Sequence, residues 1–233
     1  MLPRSSFLMP RPLRTAAAIL ALSCASNLAV AQDLSTFRVG MTAADIPLTT
    51  GNPDQGFEGF RFMGLMLYDS LVEWDLSSAD KPSTLIPGLA TEWSVDPDDK
   101  TKWTFKLRQG VKFHDGTDFD AADVVELLNR IKDPDLDSPV ASVLSIMEKI
   151  EAVDSLTVKI TLSASHVDFP LLMMDYRIRM TPSGSSDTIG QTGIGTGPFM
   201  LKTLDPEGTT ILVANPDYWE GAPGLDEIKI IAI

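Results

Sequence analysis

The change of hydrophobic periodicity between residues 103 and 134 limits the possible folds of this chain more than any other sequence feature. Trp103, Phe105 and Leu107 alternate with polar residues, which is the period of two of a β-strand with one buried face. Gln109-Gly110 interrupts the alternation, which then resumes over residues 111–114. Two alternating segments joined by a short glycine-containing turn predict a β-hairpin, with His114 on its polar, solvent-facing side.

Directly after this segment the period lengthens to that of an α-helix. Asp120 is placed as the helix N-cap with Asp123 three residues on, and Pro134 predicts the end of the helix. The apolar stripe of this helix is formed by Val124, Val125, Leu127, Leu128 and Ile131. Elsewhere, short strand-like and helix-like runs follow one another in no strict alternation. The predicted fold class is therefore mixed α/β.

Residues 1–31 have the pattern of a secretory signal peptide. Arginines precede an apolar run from Ala16 to Val30, and Ala29-Val30-Ala31 forms an A-x-A site ahead of Gln32. We expect cleavage after Ala31. The apolar run is shorter than the ~20 residues that span a bilayer, so a permanent anchor is not expected. Lipidation at Cys24 is disfavoured because the upstream leucine stands one place later than a lipoprotein signal requires.

The composition excludes several classes of partner. The chain has 32 acidic and 19 basic residues and a net charge of −13 at pH 7, and the leader removes only basic residues. Nucleic-acid binding needs a basic surface, so no nucleic-acid partner is expected. Cys24 is the single cysteine and lies in the leader, so disulfides do not contribute to the mature fold. No second long apolar segment follows, which predicts no membrane insertion after signal cleavage.

The two histidines, His114 and His166, do not form a catalytic or metal-binding motif. A triad hydrolase needs a base held against a nucleophile by a third group, and a metal site needs several converging ligands. The chain has no G-x-S-x-G, no H-E-x-x-H and no paired cysteines. Its carboxylates are too evenly spread for one pair to be singled out. The sequence predicts no enzyme, no metal site and no cofactor, with a secreted hydrolase as the alternative class.

Three further landmarks favour structural interpretations. Gly195-Thr196-Gly197-Pro198 lacks the lysine and the spacing of a phosphate-binding loop, and it predicts a turn into a strand from Phe199 to Lys202. Trp93 and Trp103 lie at alternating strand positions, which favours core packing over ligand stacking. Residues 215–219, NPDYW, predict a packing corner.

Several segments occur in an order that resembles one protein family. The run LIPGLATEWSVDPDDKTKWTFKLRQGVKFHDGTDFDAADVV is followed much later by GTGPFMLK and VANPDYWEGAPGLDEIKII. Together they resemble the periplasmic solute-binding proteins of peptide and nickel ABC importers, the family 5 extracellular solute-binding proteins. The resemblance extends from about Phe37 to Ile233.

This resemblance implies a mixed α/β, periplasmic binding protein type II-like fold in which two lobes close on a solute. Residues 32–233 then form the N-terminal lobe, with a nested smaller subdomain from about 71 to 180, after the signal peptide of residues 1–31. Phe37 to Met41 is the implied first strand, and the segment from Gly195 returns to its sheet. The second lobe has no counterpart in this sequence, and we expect it to be missing.

The implied function is that of the substrate-binding component of an ABC importer. Such a protein captures peptides or similar small solutes in the periplasm and delivers them to a membrane permease, so a solute and a permease are the expected partners. Half a cleft buries too little of a ligand, and we expect weak or no solute binding by one lobe. A truncated remnant or interaction module without solute binding is the alternative, and a metal chelate is an alternative cargo.

Two segments supply the candidate ligand-binding residues. By analogy with the family, Asp45 and Ile46 line the cleft just after the first strand, where Asp45 either meets an amino group or is a solvated loop acid. Tyr176, Arg177 and Arg179 lie in the alternating stretch MDYRIRMTP, which predicts a strand with both guanidiniums on one side. A planar guanidinium suits a substrate carboxylate. A surface strand with paired salt bridges is the alternative.

Overall fold

The computed structural model describes residues 34–42, 53 and 58–233, without the side chains of residues 58–62. The predicted signal peptide, Cys24 and the candidate ligand contacts Asp45 and Ile46 lie outside the described residues. Among the helices of the described part, none is both long enough and apolar enough to cross a membrane.

The described chain forms strands and helices in mixed order, which confirms the predicted α/β class. The strands are β1 Thr36–Met41, β2 Val72–Trp74, β3 Leu85–Pro87, β4 Ala90–Val95, β5 Lys102–Leu107, β6 Met147–Asp154, β7 Thr157–Leu162, β8 Phe199–Thr203, β9 Thr209–Ala214 and β10 Glu227–Ala232. The helices are α1 Glu58–Leu67, α2 Ala121–Lys132, α3 Ala141–Leu144, α4 Phe169–Leu172 and α5 Ile189–Thr192.

The first sheet brings together segments from both ends of the described chain. Its strand order is β1-β10-β9-β8, with β1 parallel to β10 and the other pairs antiparallel. Leu212, Ile228 and Ile230 are buried in one core with Met63 and Leu67 of α1. The predicted strands at residues 37–41 and 199–202 are both present, and both belong to this sheet.

The second sheet is antiparallel throughout, in the order β4-β5-β7-β6. The predicted apolar face of β5 is confirmed, because Trp103, Phe105 and Leu107 are all buried. The rings of Trp103 and Phe105 lie 5.8 and 6.1 Å from the ring of Phe169 at the start of α4. The buried residues of this second core all lie between Leu71 and Met180.

The predicted hairpin after β5 was wrong. Residues 111–113 do not pair with β5, because β4 and β7 occupy its two edges. Instead the N–H of Phe113 donates to the carbonyl of Thr117 at 2.9 Å, and Lys112 forms an isolated bridge with Asp118. The alternation of Val111 and Phe113 therefore comes from burial of both side chains and not from a strand pair.

Helix α2 begins as the sequence predicts. The N–H of Ala122 donates to Asp120 Oδ1 at 2.7 Å, and the N–H of Asp120 donates to Asp123 Oδ2 at 2.8 Å. This reciprocal pair is a capping box, which satisfies amide groups that the first turn leaves without helical acceptors. The helix ends at Lys132, and Pro134 begins a 3-10 turn.

Replacing Asp120 by alanine should lower the free energy of unfolding by about 1 kcal/mol, because Ala122 N–H loses its acceptor. Chemical denaturation measures this change. Asp98→Ala, at an exposed turn position after β4, is the matched control and should stay within about 0.5 kcal/mol of the wild type. Equal effects of the two substitutions would contradict the role of the cap.

The predicted turn at residues 195–198 packs against the end of α1. A Cβ on Gly195 would overlap the carbonyl oxygen of Leu67 and the ring of Tyr68. A Cβ on Gly197 would lie 2.6 Å from the carbonyl oxygen of Met66, and Gly197 N–H donates to Leu67 O at 3.0 Å. The glycines are thus required by close backbone approach.

We expect Gly195→Ala to destabilise the protein by about 3 kcal/mol or more, since backbone atoms of α1 must move to admit the methyl group. Thermal or denaturant unfolding measures the loss. At Gly224 an added Cβ meets nothing, so Gly224→Ala should be nearly neutral. A stable Gly195→Ala variant would show that the turn is not packed in this way.

Candidate functional site

One buried acid connects the segments around the candidate site. Asp69 lies two residues after the end of α1 and is 3% exposed. Its Oδ2 accepts hydrogen bonds from Thr196 Oγ1 and Trp219 Nε1, both at 2.9 Å, and its Oδ1 accepts one from Tyr218 OH at 3.3 Å. Its backbone carbonyl accepts from Met180 N–H at 2.9 Å. The predicted corner at residues 215–219 is therefore confirmed, and it packs around a carboxylate.

Burial disfavours the ionised form of Asp69, whereas the neighbouring groups favour it. Burial raises its pKa, whereas the hydrogen bonds from Trp219 and Thr196 and the positive charge of Arg179 lower it. A buried ionised carboxylate is tolerated only when it is paired or hydrogen-bonded, and this one has three donors. Its acceptor capacity is largely used within the fold, which identifies Asp69 as a structural acid.

His114 fixes the glycine turn from the other side. Its Nδ1 accepts from Gly195 N–H at 3.2 Å, so the ring proton lies on Nε2, which donates to Gly197 O at 3.0 Å. Burial lowers the pKa of His114, which favours this neutral form. The predicted solvent-facing position was wrong, because the ring is half-buried and both of its nitrogens are hydrogen-bonded to the glycine backbone. The ring holds the turn in place.

The predicted strand at residues 176–180 was also wrong, because this segment consists of turns and extended backbone without a partner strand. Ile178 and Met180 are fully buried in the loop, and Arg179 between them is buried as well. Arg177 donates to both carboxylate oxygens of Asp175, at 2.9 and 2.8 Å. Its guanidinium also lies 5.2 Å from the centroid of the Tyr176 ring. Arg177 is thus held within its own turn.

Arg179 has a different environment, since it is only 9% exposed and its ion pair with Glu73 spans 4.0 Å. Its polar contacts are long: Nε to Tyr176 O at 3.4 Å, Nη1 to Ser70 Oγ at 3.4 Å and Nη1 to Glu73 Oε1 at 4.0 Å. Charge-assisted hydrogen bonds are typically ~2.7–2.9 Å. The guanidinium is therefore buried but loosely coordinated.

Arg179 lines a groove of about 560 Å³, which we call the Arg179 groove. Its polar and aromatic lining includes Asp69, Glu73, Trp74, Tyr176, Arg179 and Tyr218. The structure thus brings the predicted candidates Tyr176 and Arg179 to one site, and Arg177 is not among the lining residues. Leu65, Leu76 and Met174 add an apolar rim.

Sequence reasoning did not single out Asp69, Glu73 or Tyr218. One signal was available for Asp69, because it interrupts the apolar stretch GLMLYDSLV, and an acid at such a position needs buried partners. Glu73 gives no comparable signal, since it stands at the end of that stretch beside Trp74. Its ionisation and its pairing with Arg179 depend on groups that are distant in sequence.

The ionised form of Glu73 is stabilised less by its neighbours than that of Asp69. Its side chain is 29% exposed, and its ion pair with Arg179 spans 4.0 Å. Burial raises its pKa to about 7, and the negative charges of Asp69 and Glu220 act in the same direction, against the positive charges of Arg179 and Arg108. At neutral pH the groove therefore contains an acid that readily exchanges a proton.

The described residues contain no group of three or more His, Cys, Asp and Glu side chains arranged to hold a metal ion. The polar chemistry of the groove is that of carboxylates, one guanidinium and tyrosine hydroxyls. Groups of this chemistry form hydrogen bonds and ion pairs with charged organic molecules.

Comparison with known proteins defines the family to which the chain belongs. The model of the family described as "Bacterial extracellular solute-binding proteins, family 5 Middle" matches residues 84–233. The chain belongs to this family, which confirms the resemblance seen in the sequence.

Individual relatives agree with this assignment. The chain is 30% identical to the di/tripeptide-binding protein 2 of Pseudomonas aeruginosa (strain UCBPP-PA14), over 91% of this chain and 44% of that protein. It is 34% identical to the glutathione-binding protein GsiB of Escherichia coli (strain K12), over 66% of this chain and 31% of that protein.

Two solved structures share the fold. MoaA from A. tumefacien R10, in complex with mannopinic acid, has a TM-score of 0.76 and 29% identity, over 86% of this chain and 41% of that one. DppA from Helicobacter pylori, in complex with the peptide STSA, has a TM-score of 0.71 and 25% identity, over 85% and 42%. The chain spans less than half the length of these relatives, which agrees with one lobe of the periplasmic binding protein fold.

The stability difference between the wild type and Glu73→Gln should depend on pH. Folding raises the pKa of Glu73 from 4.5 to about 7, so the folded protein retains a proton that the unfolded chain releases in this range. The contribution of Glu73 to the free energy of unfolding is therefore fully present below pH 4.5 and is lost as the pH rises through about 7. Glutamine does not titrate, so Glu73→Gln should gain relative to the wild type over this interval.

Denaturant unfolding at a series of pH values measures this difference. Glu151→Gln, in the surface pair with Lys149, is the control for removing a carboxylate outside the groove. If the difference between wild type and Glu73→Gln stays constant from pH 4.5 to above 7, the raised pKa of Glu73 is refuted.

Proposed function

We propose that this protein is the substrate-binding component of an ABC importer. It captures peptides or similar small solutes in the periplasm and delivers them to a membrane permease. Support comes from its membership of the extracellular solute-binding family and from relatives named for binding di/tripeptides and glutathione. Proteins of this kind bind and deliver a substrate without changing it, so we propose no enzymatic role.

The domain organisation is part of this proposal. Residues 1–31 are the signal peptide, and residues 32–233 form the N-terminal lobe. Residues 71–180 form a nested subdomain within it, and the continuous core from Leu71 to Met180 around the second sheet supports this assignment. The core of the first sheet draws on residues before and after this interval, as expected when one unit is inserted into another.

The observation that carries a solute-binding role for the groove is the state of Arg179. A guanidinium that is buried, charged and loosely coordinated retains donors for a bidentate carboxylate. We propose that Arg179, with Tyr176 beside it, contacts a carboxylate of the solute. Asp45 and Ile46, outside the described residues, are proposed as contacts after β1. Arg177 is held by Asp175 and supports the turn.

A peptide and its C-terminal amide test this role of Arg179. Trialanine should bind the wild type at least about tenfold more tightly than trialanine amide, since a charge-assisted hydrogen bond contributes ~1.5–3 kcal/mol. In Arg179→Met the two ligands should bind alike. NMR titration is suitable because one lobe buries only part of a solute and binds weakly.

Glu151→Gln is the control and should keep the preference for the free acid. Equal binding of acid and amide by the wild type would contradict the assignment of Arg179. Absence of saturable binding by any peptide would contradict the solute-binding function of this chain. Thermal unfolding of Arg179→Met checks that a lost preference does not come from a lost fold.

A further inference from the structure

Glu73 and Arg179 in the Arg179 groove carry opposite charges but are not in direct contact. Glu73 and Arg179 are 4.0 Å apart at their nearest atoms, which is longer than a direct hydrogen bond. The neighbouring acid, Asp69, already accepts from Thr196, Trp219 and Tyr218. Glu73 therefore has the acceptor capacity that remains for a ligand.

From this geometry we propose that Glu73 makes the groove selective for solutes that carry an amine beside a carboxylate, as a free α-amino acid does. The amine binds Glu73 and the carboxylate binds Arg179. This inference rests on the proposed solute-binding role, and it adds a specificity-determining residue to the contact assigned to Arg179.

The spacing of the two side chains sets the class of solute. In an α-amino acid the amine and the carboxylate share one carbon atom, so both ends fit a pair of partners 4.0 Å apart. The termini of an extended dipeptide are ~7 Å apart, at ~3.3–3.6 Å per residue, so one dipeptide does not satisfy both partners with its two charged ends.

The rest of the groove fits the side chain of such a solute. Trp74 and Leu76 are both exposed large apolar residues, and both line the groove together with Met174. The volume of about 560 Å³ is within the ~300–1,000 Å³ range of small-molecule sites. An aromatic or aliphatic amino acid can therefore place its charged end at Glu73 and Arg179 and its apolar end against Trp74.

The surrounding charges favour a solute that includes an amine. Asp69 and Glu220 are the negative groups that act on Glu73, and Arg179 and Arg108 are the positive ones. Arg108 stacks on Trp219 at 4.2 Å and donates to Gly88 O, so it is already engaged. A carboxylate without an adjacent amine binds Arg179 against the repulsion of Glu73, whereas an adjacent ammonium removes that repulsion and strengthens binding.

Three related ligands separate the contributions: L-phenylalanine, 3-phenylpropanoate, which lacks the amine, and 2-phenylethylamine, which lacks the carboxylate. NMR titration of the purified protein at pH 8 should show phenylalanine binding at least about tenfold more tightly than either analogue. Glu73→Gln should bind phenylalanine and 3-phenylpropanoate alike. Arg179→Met should bind phenylalanine and 2-phenylethylamine alike, and Glu151→Gln should retain both preferences.

Lowering the pH from 8 to 5.5 should weaken phenylalanine binding by the wild type severalfold, because Glu73 takes up a proton. Equal binding of phenylalanine and 3-phenylpropanoate by the wild type overturns the inference. If trialanine still binds in that case, the proposed function stands and only the role of Glu73 is lost. If no peptide and no amino acid binds, both proposals are overturned.

Discussion

The hydrogen bonds to the buried carboxylate of Asp69 hold together segments that no local structure connects. Its three side-chain donors come from Thr196, Tyr218 and Trp219, which are 127 to 150 residues away in sequence. Burying this acid without donors would cost several kcal/mol, so α1, the glycine turn and the aromatic corner are stable only together. Both cores meet at this point, because Asp69 stands between Met63 and Leu67 of one core and Leu71 of the other.

Local patterns predicted the parts of the fold that depend on neighbouring residues. The cap and stripe of α2 and the buried face of β5 follow from spacing alone, since both periods are set by backbone geometry. The predicted hairpin after β5 does not form because β4, which precedes β5 in the chain, and β7, which comes about 50 residues later, occupy the two edges of β5. The predicted strand at residues 176–180 failed because apolar residues at alternate positions of a buried loop give the same sequence pattern as a strand.

The candidate site was only partly predictable. Tyr176 and Arg179 reach the groove, although the strand on which that prediction depended does not form. Asp69 interrupts an apolar stretch, but its partners could not be predicted, because they lie more than 100 residues away, such as Tyr218 at 149 residues. Glu73 and Tyr218 give no comparable signal. The resemblance to the solute-binding family came from the order of several segments, a kind of signal that hydrophobic periodicity does not contain.

The two acids of the groove show how environment separates structural from ligand-facing groups of the same chemistry. Burial raises the pKa of both, but three hydrogen-bond donors oppose this at Asp69, whereas at Glu73 only the more distant charges of Arg179 and Arg108 do. Glu73 is half-buried, titrates near neutral pH and faces a cavity. Such an acid gains more from an incoming cation than Asp69, whose acceptors are already used. This difference is why we propose Glu73, and not Asp69, as the partner of a solute amine, with the solute carboxylate at Arg179.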